Sequence, residues 1–480
     1  MIDLWVREEV AAADLKDKRL DERFAQVLSD LGHHPNASIP AACGGHKEMV
    51  AAYRFFANAK TNYDNVHHPH TQATIQRVRE QKTVICSQDT TELDLTRPNQ
   101  SVEGAGSLGD GPRRGLFLHR LEALTPNGTP LGRVWSNVWA RPEEPDPPPT
   151  AKQKQQKRKA ASIEQKESFR WLEGFRHTRV LAEQCPGVTC VCVADSEADI
   201  YELFVEDRGT SNPIHFVIRL CQERSVVTDA DQPAQQIRTS VEKTAVLFTK
   251  SISVRARQPK VACEDRTRRC QRVAREAVVE VRASSVTLDP PYRAQQKLPP
   301  VTVHVVQTRE INPPAGEEPV EWLLVTSLPI HDESAVRVVL DDYALRWMSE
   351  VFFRVLKSGC RVEERLFEHC DRLEVCLAVY EIVAWRTLFL CRLGRSEPRM
   401  SCELVLEACE WKAVWMAIHQ KPPPKKAPTL LEMVCLIAQL GGYVNWPGRP
   451  DPPGPQTLCL GMQRMHDLAW AWKTFGPKNE

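Results

Sequence analysis

Val188-Thr189-Cys190-Val191-Cys192-Val193-Ala194 is a nearly unbroken apolar run that stops at Asp195. Its length and its valines read as a central strand buried on both faces. A second run, Thr83-Val84-Ile85-Cys86, leads into Gln88-Asp89-Thr90-Thr91. Each run sets an aspartate at its carboxyl end, beside small polar neighbours. In sheets covered by helices on both faces, ligand and metal sites collect at those strand ends. Two carboxylates on adjacent strands repel at neutral pH unless a divalent cation lies between them. No His/Cys set stands nearby, so hard oxygen donors favour Mg²⁺ or Mn²⁺ over zinc. The plain alternative is that either Asp caps a following turn.

A third element follows in residues 334 to 358, which the periodicity predicts to be one helix. Tyr343, Arg346, Glu350 and Lys357 stand at offsets of 3, 7 and 14 residues. At about 100° per residue they fall on one stripe roughly 60° wide. One acid, two cations and a phenol make a poor core face. They suit a surface that holds a metal-bound phosphate, with Glu350 as ligand, Arg346 and Lys357 on phosphate oxygens and Tyr343 stacking or hydrogen-bonding. Taken alone, the helix reads as a solvated face with an Arg346–Glu350 pair four residues apart.

The surroundings bound the possibilities. The chain has 480 residues, enough for several domains. Lys+Arg number 63 and Asp+Glu 62, so no global field drives it onto a polyanion and any such site is local. The longest apolar stretch, Leu373 to Leu390, contains Glu374, Glu381 and Arg386 and reads as a buried helix, not a membrane span. The N-terminus shows neither the basic start nor the apolar stretch of a signal peptide. The sixteen cysteines are scattered with no C-x-x-C, which argues against zinc and for a reducing, cytoplasmic compartment.

Residues 1–78 read as helical, with Arg19 and Arg23 on one side of a helix and Met49 to Phe56 as a second amphipathic piece. His67, His68 and His70 flank Pro69 and read as solvated loop residues. Leu116 to Thr125 and Leu131 to Trp139 form a predicted hairpin around Pro126-Asn127-Gly128. Residues 142 to 160 read as a linker with a basic run, Lys152, Lys154, Lys157, Arg158 and Lys159. Strands dominate 221–330, which includes a basic stretch from Arg255 to Arg275 with eight cations against Glu264 and Asp265. Beyond 392 the chain is helical again.

Strand-Asp, strand-Asp, helix-Glu is the order of carboxylates in ribonuclease-H-like nucleases and recombinases. The wording of the blocks is narrower still. Gln88-Asp89-Thr90-Thr91-Glu92-Leu93, Asp195-Ser196-Glu197-Ala198-Asp199 and Tyr343-x-x-Arg346-x-x-x-Glu350-(six)-Lys357 resemble the three signature blocks of DDE transposases. The group is the bacterial insertion-sequence-four one, which includes the transposon-five transposase. Weaker similarity covers nearly the whole chain: Ser38-Ile39-Pro40, Ala52 to Phe56, Gly115 to Arg141, Glu321 to Ser327, Leu440 to Tyr443 and Pro452-Pro453-Gly454. Two positions depart from the pattern: Ser196 stands where relatives have Arg, and Ser349 where an aliphatic residue is usual.

The resemblance implies an α/β fold: a ribonuclease-H-like core, a mixed sheet with helices on both faces, interrupted by an all-β insertion and flanked by helical N- and C-terminal domains. The implied boundaries are a DNA-binding domain over 1–78, the core over 79–220 and 331–392, the insertion over 221–330, and a dimerisation region over 393–480. Asp89, Asp195 and Glu350 would be the catalytic, metal-binding triad for two Mg²⁺ or Mn²⁺ ions. Tyr343, Arg346 and Lys357 would grip transposon-end phosphates, Trp322 would stack on a flipped base, and Arg219 and Arg54 would contact DNA. The implied activity is cut-and-paste transposition through a hairpin, by a homodimer acting on transposon-end and target double-stranded DNA, in a prokaryotic nucleoid and not at a membrane. The alternatives are another ribonuclease-H-like nuclease, such as a resolvase, or a domesticated copy that only binds DNA.

Overall fold

The computed structural model describes residues 2–97, 100–109, 111–142, 150–227, 235–256, 272–293, 296–444 and 452–476. Five helices open the chain: α1 (Leu4–Glu9), α2 (Lys18–His33), α3 (Ile39–Cys43), α4 (His46–Phe56) and α5 (Tyr63–Arg79). Strands β1 (Thr83–Asp94), β2 (Gly106–Ser107), β3 (Arg114–Leu124) and β4 (Pro130–Trp139) follow. Next come α6 (Ala151–Ala160), α7 (Phe169–Gln184), β5 (Thr189–Ala194), α8 (Tyr201–Phe204), β6 (His215–Arg219), β7 (Ser225–Val226), β8 (Gln235–Gln236) and α9 (Ile237–Glu242). Then β9 (Phe248–Val254), β10 (Arg275–Leu288), β11 (Val301–Glu310) and β12 (Glu321–Thr326) lead to α10 (Glu333–Ala344) and α11 (Trp347–Arg354). The chain closes with α12 (Cys370–Ser396), α13 (Ala408–His419), α14 (Leu430–Leu440) and α15 (Pro455–Phe475). No helix among the described residues is long and apolar enough to cross a membrane.

The chain divides into two compact units. The first gathers Met1–Pro148, Gln184–Val188 and Trp347–Glu480; the second gathers Pro149–Glu183 and Thr189–Arg346. In the first unit β3 pairs antiparallel with β1, β4 and the short β2. The β3–β4 hairpin turns at Gly128, whose φ of 77° no side chain adopts cheaply. Helix α12 runs through this unit with apolar residues buried all round, as expected of its long apolar stretch read as a buried helix. In the second unit β5 and β6 are parallel, and β6, β12, β11 and β10 continue antiparallel to give a mixed sheet. Strand β10 alternates buried Ala277, Val279 and Val281 with exposed neighbours, the mark of a sheet solvated on one face.

Four local expectations fail, each for a physical reason. Asp89 lies in mid-strand, because β1 runs five residues past it to Asp94, and Thr90, Thr91, Glu92 and Leu93 suit a half-buried ladder. The histidines lie in α5 and not in a loop: Pro69 is accommodated inside the helix, and His67 and His70 are fully buried while His68 is exposed. Their partners, Glu381 and Glu9, are remote in sequence, so nothing local announced them. Part of the expected linker is helix α6, started by a Thr150–Gln153 capping box. The helix expected over 334 to 358 is two helices, interrupted at Leu345 and Arg346 and followed by a π-turn over Val355–Gly359. Residues 257–271 of the basic stretch lie outside the described residues.

Candidate functional site

The N-terminal helices build a basic cleft. Amphipathic α2 and α4 bury Phe24, Val27, Leu28, Phe55 and Phe56 and turn their polar flanks outward. Between them lies a cleft of about 760 Å³, lined by Arg19, Arg23, His46, Lys47, Arg54 and Lys60, with Asp17 as its acid. Asp17 caps α2 and lies 3.4 Å from Arg19 and 4.0 Å from Lys60, so it holds two of the cations at the rim. Five cations around one carboxylate form the kind of local positive patch a phosphate backbone seeks. Arg54, singled out in the sequence, is exposed in this cleft; Lys47 and Lys60 were not, and Arg19 and Arg23 carried only their four-residue spacing as a signal.

The first unit also brings Asp89 and Glu350 onto facing elements. Ser87 and Asp89 share one face of β1, because side chains alternate along a strand. The Ser87 hydroxyl is 2.8 Å from that of Ser349, a buried hydrogen bond that pins α11 to β1 beside Glu350. Ser349, a departure from the expected pattern, therefore has a partner of matching chemistry. On the opposite face of β1, His119 bridges Gln88 and Thr90, at 3.0 and 2.8 Å, and stiffens the strand. Lys357 sits in the π-turn, 3.4 Å from Glu363, which also accepts the Asp94 amide at 2.9 Å. Its ammonium is thereby tied to the end of β1. With a helix break and a π-turn between them, the 100° count no longer carries from Tyr343 to Lys357, and the single stripe expected from the sequence does not exist.

The second unit gathers the remaining candidates. Asp195 directly follows β5, and its Oδ1 accepts the Glu197 amide at 2.8 Å, so it caps the turn that begins there. Arg219 ends β6 exposed, opposite Leu324 of β12, and Nη2 donates to the Glu321 carbonyl at 3.4 Å. Half-buried Trp322 meets Tyr343 edge-on, ring centres 5.9 Å apart, so it is not a core tryptophan. Tyr343 lies in the last turn of α10, buried. Burial raises its hydroxyl pKa; Arg346 and Arg219 lower it and the Asp195 carboxylate raises it. Asp195, Arg219, Trp322, Tyr343 and Arg346 thus form one neighbourhood.

Asp89 and Glu350 belong to the first unit and Asp195 to the second. Among the described residues, no three or more His, Cys, Asp or Glu side chains form a group that could hold a metal ion. Asp89 and Glu350 do offer hard oxygen donors on rigid elements, the donor type that Mg²⁺ and Mn²⁺ take.

Comparison with known proteins adds two matches. Residues 2–61 match a family described as transposase DNA-binding, and residues 382–470 match the transposase Tn5 dimerisation domain. Among solved structures, the chain is similar to the piggyBac transposase in a synaptic complex with hairpin DNA, at 8% identity over 73% of this chain. This chain spans 56% of that one, and a TM-score of 0.32 is too loose to define a shared fold.

Proposed function

The chain carries a transposase DNA-binding domain and a Tn5 transposase dimerisation domain, one near each end, and is in that respect a Tn5-like transposase; from that premise we propose that it carries out cut-and-paste DNA transposition. The reading takes residues 79–220 and 331–392 as a ribonuclease-H-like core and 221–330 as an insertion. Asp89, Asp195 and Glu350 are its catalytic carboxylates. Divalent ions bound to them would supply activation of water or a 3′-hydroxyl and stabilisation of the leaving oxygen. The basic α2–α4 cleft grips the backbone of a transposon end. Arg346, Lys357 and Arg219 neutralise phosphates near the scissile bond, Tyr343 orients Arg346, and Trp322 receives an unstacked base if the cut passes through a hairpin. The C-terminal helices pair two copies, so that two ends are held together.

The observation that carries the chemistry is the buried Ser87–Ser349 hydrogen bond, which seats the Glu350 helix on the Asp89 strand. It supports a fixed acid pair in a chain with transposase domains at both ends. The test uses the purified chain, DNA from the flanks of its own gene, and Mg²⁺ or Mn²⁺. Nicked, hairpin and strand-transfer products are expected. Asp89→Asn, Asp195→Asn or Glu350→Gln should each lower cleavage at least a thousandfold while end binding stays within a few-fold. Full cutting by any of the three sinks the assignment, and cutting without strand transfer favours a resolvase-like nuclease.

A further inference from the structure

Arg120 stands where three parts of the first unit meet. It lies directly opposite Asp89 in the β1–β3 ladder, so both side chains leave the sheet on the same face. Its guanidinium carbon is 3.9 Å from the centre of the Phe352 ring, two residues beyond Glu350 in α11. Its Nη1 donates to Glu381 of α12 at 2.5 Å, and its Nη2 is 3.5 Å from Glu122. Glu381 also accepts from the Tyr63 hydroxyl at 2.5 Å and lies 3.2 Å from His67, both in α5. Arg120 and Glu381 are buried, at 2% and 0% exposure.

Stability alone does not call for a charge there. A buried ion pair is costly to desolvate, and a well-packed apolar side chain of similar volume is often as good or better. What the cation adds is direction: one planar group stacks on Phe352 and bonds Glu381 at the same time. The place is also telling. Tyr63 comes two residues after the matched DNA-binding domain, and Glu381 immediately before the matched dimerisation domain. The junctions of both terminal domains therefore converge on the residue opposite Asp89.

We propose that Arg120 is a positioning residue that sets the Glu350 helix over Asp89 and couples that spacing to the packing of α5 and α12. It never touches DNA or the reacting phosphate. Movement of α5 when the N-terminal domain takes an end, or of α12 when two copies pair, shifts Glu381, then the guanidinium, then Phe352 and its helix. The inference rests on the transposase reading, and its test is chosen so that the two fail separately.

Arg120→Met keeps the stem on Phe352 and removes the charge; Arg120→Lys keeps the charge and loses the flat stack; Phe352→Leu removes the ring from the other side. Each is measured for thermal unfolding, end-DNA affinity, single-turnover cleavage, and Mn²⁺ affinity by calorimetry on the DNA-free protein. For folded Arg120→Met we expect end affinity within twofold, cleavage at least 30-fold slower, and Mn²⁺ affinity at least fivefold weaker. Phe352→Leu should move the last two in the same direction. A purely structural residue would lower cleavage only in proportion to the folded fraction and leave Mn²⁺ affinity unchanged, and that result overturns the proposal. If Arg120→Met does not fold, Arg120→Lys decides: cleavage and Mn²⁺ affinity within twofold of the parent refute it, while loss of both with end binding retained supports it. Should Asp89→Asn cut as well as the parent, the transposase reading itself has failed, whatever Arg120 does.

Discussion

His67 shows what a buried ring does to a pH profile. It is fully enclosed; burial and the nearby Arg133 push its pKa down to about 3, more than Glu381 lifts it. The ring is therefore neutral in the folded protein. Burial raises the Glu381 pKa, while His67, Arg120 and the Tyr63 hydroxyl hold it down at about 2. With the ring neutral, Arg120 is the cation among those three. Below pH 6.5 the unfolded chain binds a proton that folded His67 refuses, so stability falls as pH drops from 6.5 toward 3. One proton contributes up to about 1.4 kcal/mol per pH unit, and about 1.6 kcal/mol between pH 6.5 and 5 because the unfolded ring is already half protonated at 6.5. His67→Gln keeps a donor for Glu381 and removes that titration. Unfolding free energies from denaturant titrations at pH 6.5 and 5 should lie closer together by that amount, and an unchanged spread would show that the ring is not the group responsible. Local spacing could not reveal this role, because Glu381 lies 314 residues away. Asp89, Asp195 and Glu350 are singled out by their block wording, but the strand-end setting expected of Asp89 was not legible, because β1 runs on to Asp94. Arg120 was not, since only the β1–β3 register sets it opposite Asp89.

Between elements, close backbone approach sets the limits. A Cβ on Gly461 of α15 would stand 1.9 Å from the Ile437 carbonyl oxygen of α14, and one on Gly441 would stand 1.9 Å from that of Thr457. These two helices touch backbone to backbone, with no room for a methyl group. Gly461→Ala should force them apart at a cost of about 1–3 kcal/mol, read as a lower unfolding midpoint and weaker self-association in sedimentation. An alanine variant as stable and as self-associated as the parent would mean that the two helices pack otherwise. Element boundaries were uneven in the sequence. The β3–β4 hairpin announced itself through Asn127-Gly128, and α6 could have been read from Thr150 and Gln153. The interruption at Leu345–Arg346 has no proline or glycine, and the helical pattern runs straight across it, so tertiary packing alone reveals it.

At the scale of the whole chain, 63 cations nearly balance 62 acids, and binding to DNA has to be local. If the α2–α4 cleft holds a phosphate backbone, each phosphate that it neutralises adds about 0.9 to the steepness of log affinity against log salt. Arg54→Ala and Lys47→Ala should each make that dependence shallower by about one such step for transposon-end DNA, and roughly equally for unrelated duplex. A slope that stays at the parent value in both would move the DNA elsewhere. The matched stretches, residues 2–61 and 382–470, are each continuous and so within reach of short sequence blocks. The units are not, because the first is assembled from Met1–Pro148, Gln184–Val188 and Trp347–Glu480. That discontinuity bears on synthesis. While the ribosome is still making the middle of the chain, Tyr63, His67 and Arg120 have emerged but Glu381 has not, so the nascent N-terminal half carries a cation with its acid still untranslated. Its core closes only when α12 arrives, and a message cut short before that helix yields a half-built protein for the cell's proteases.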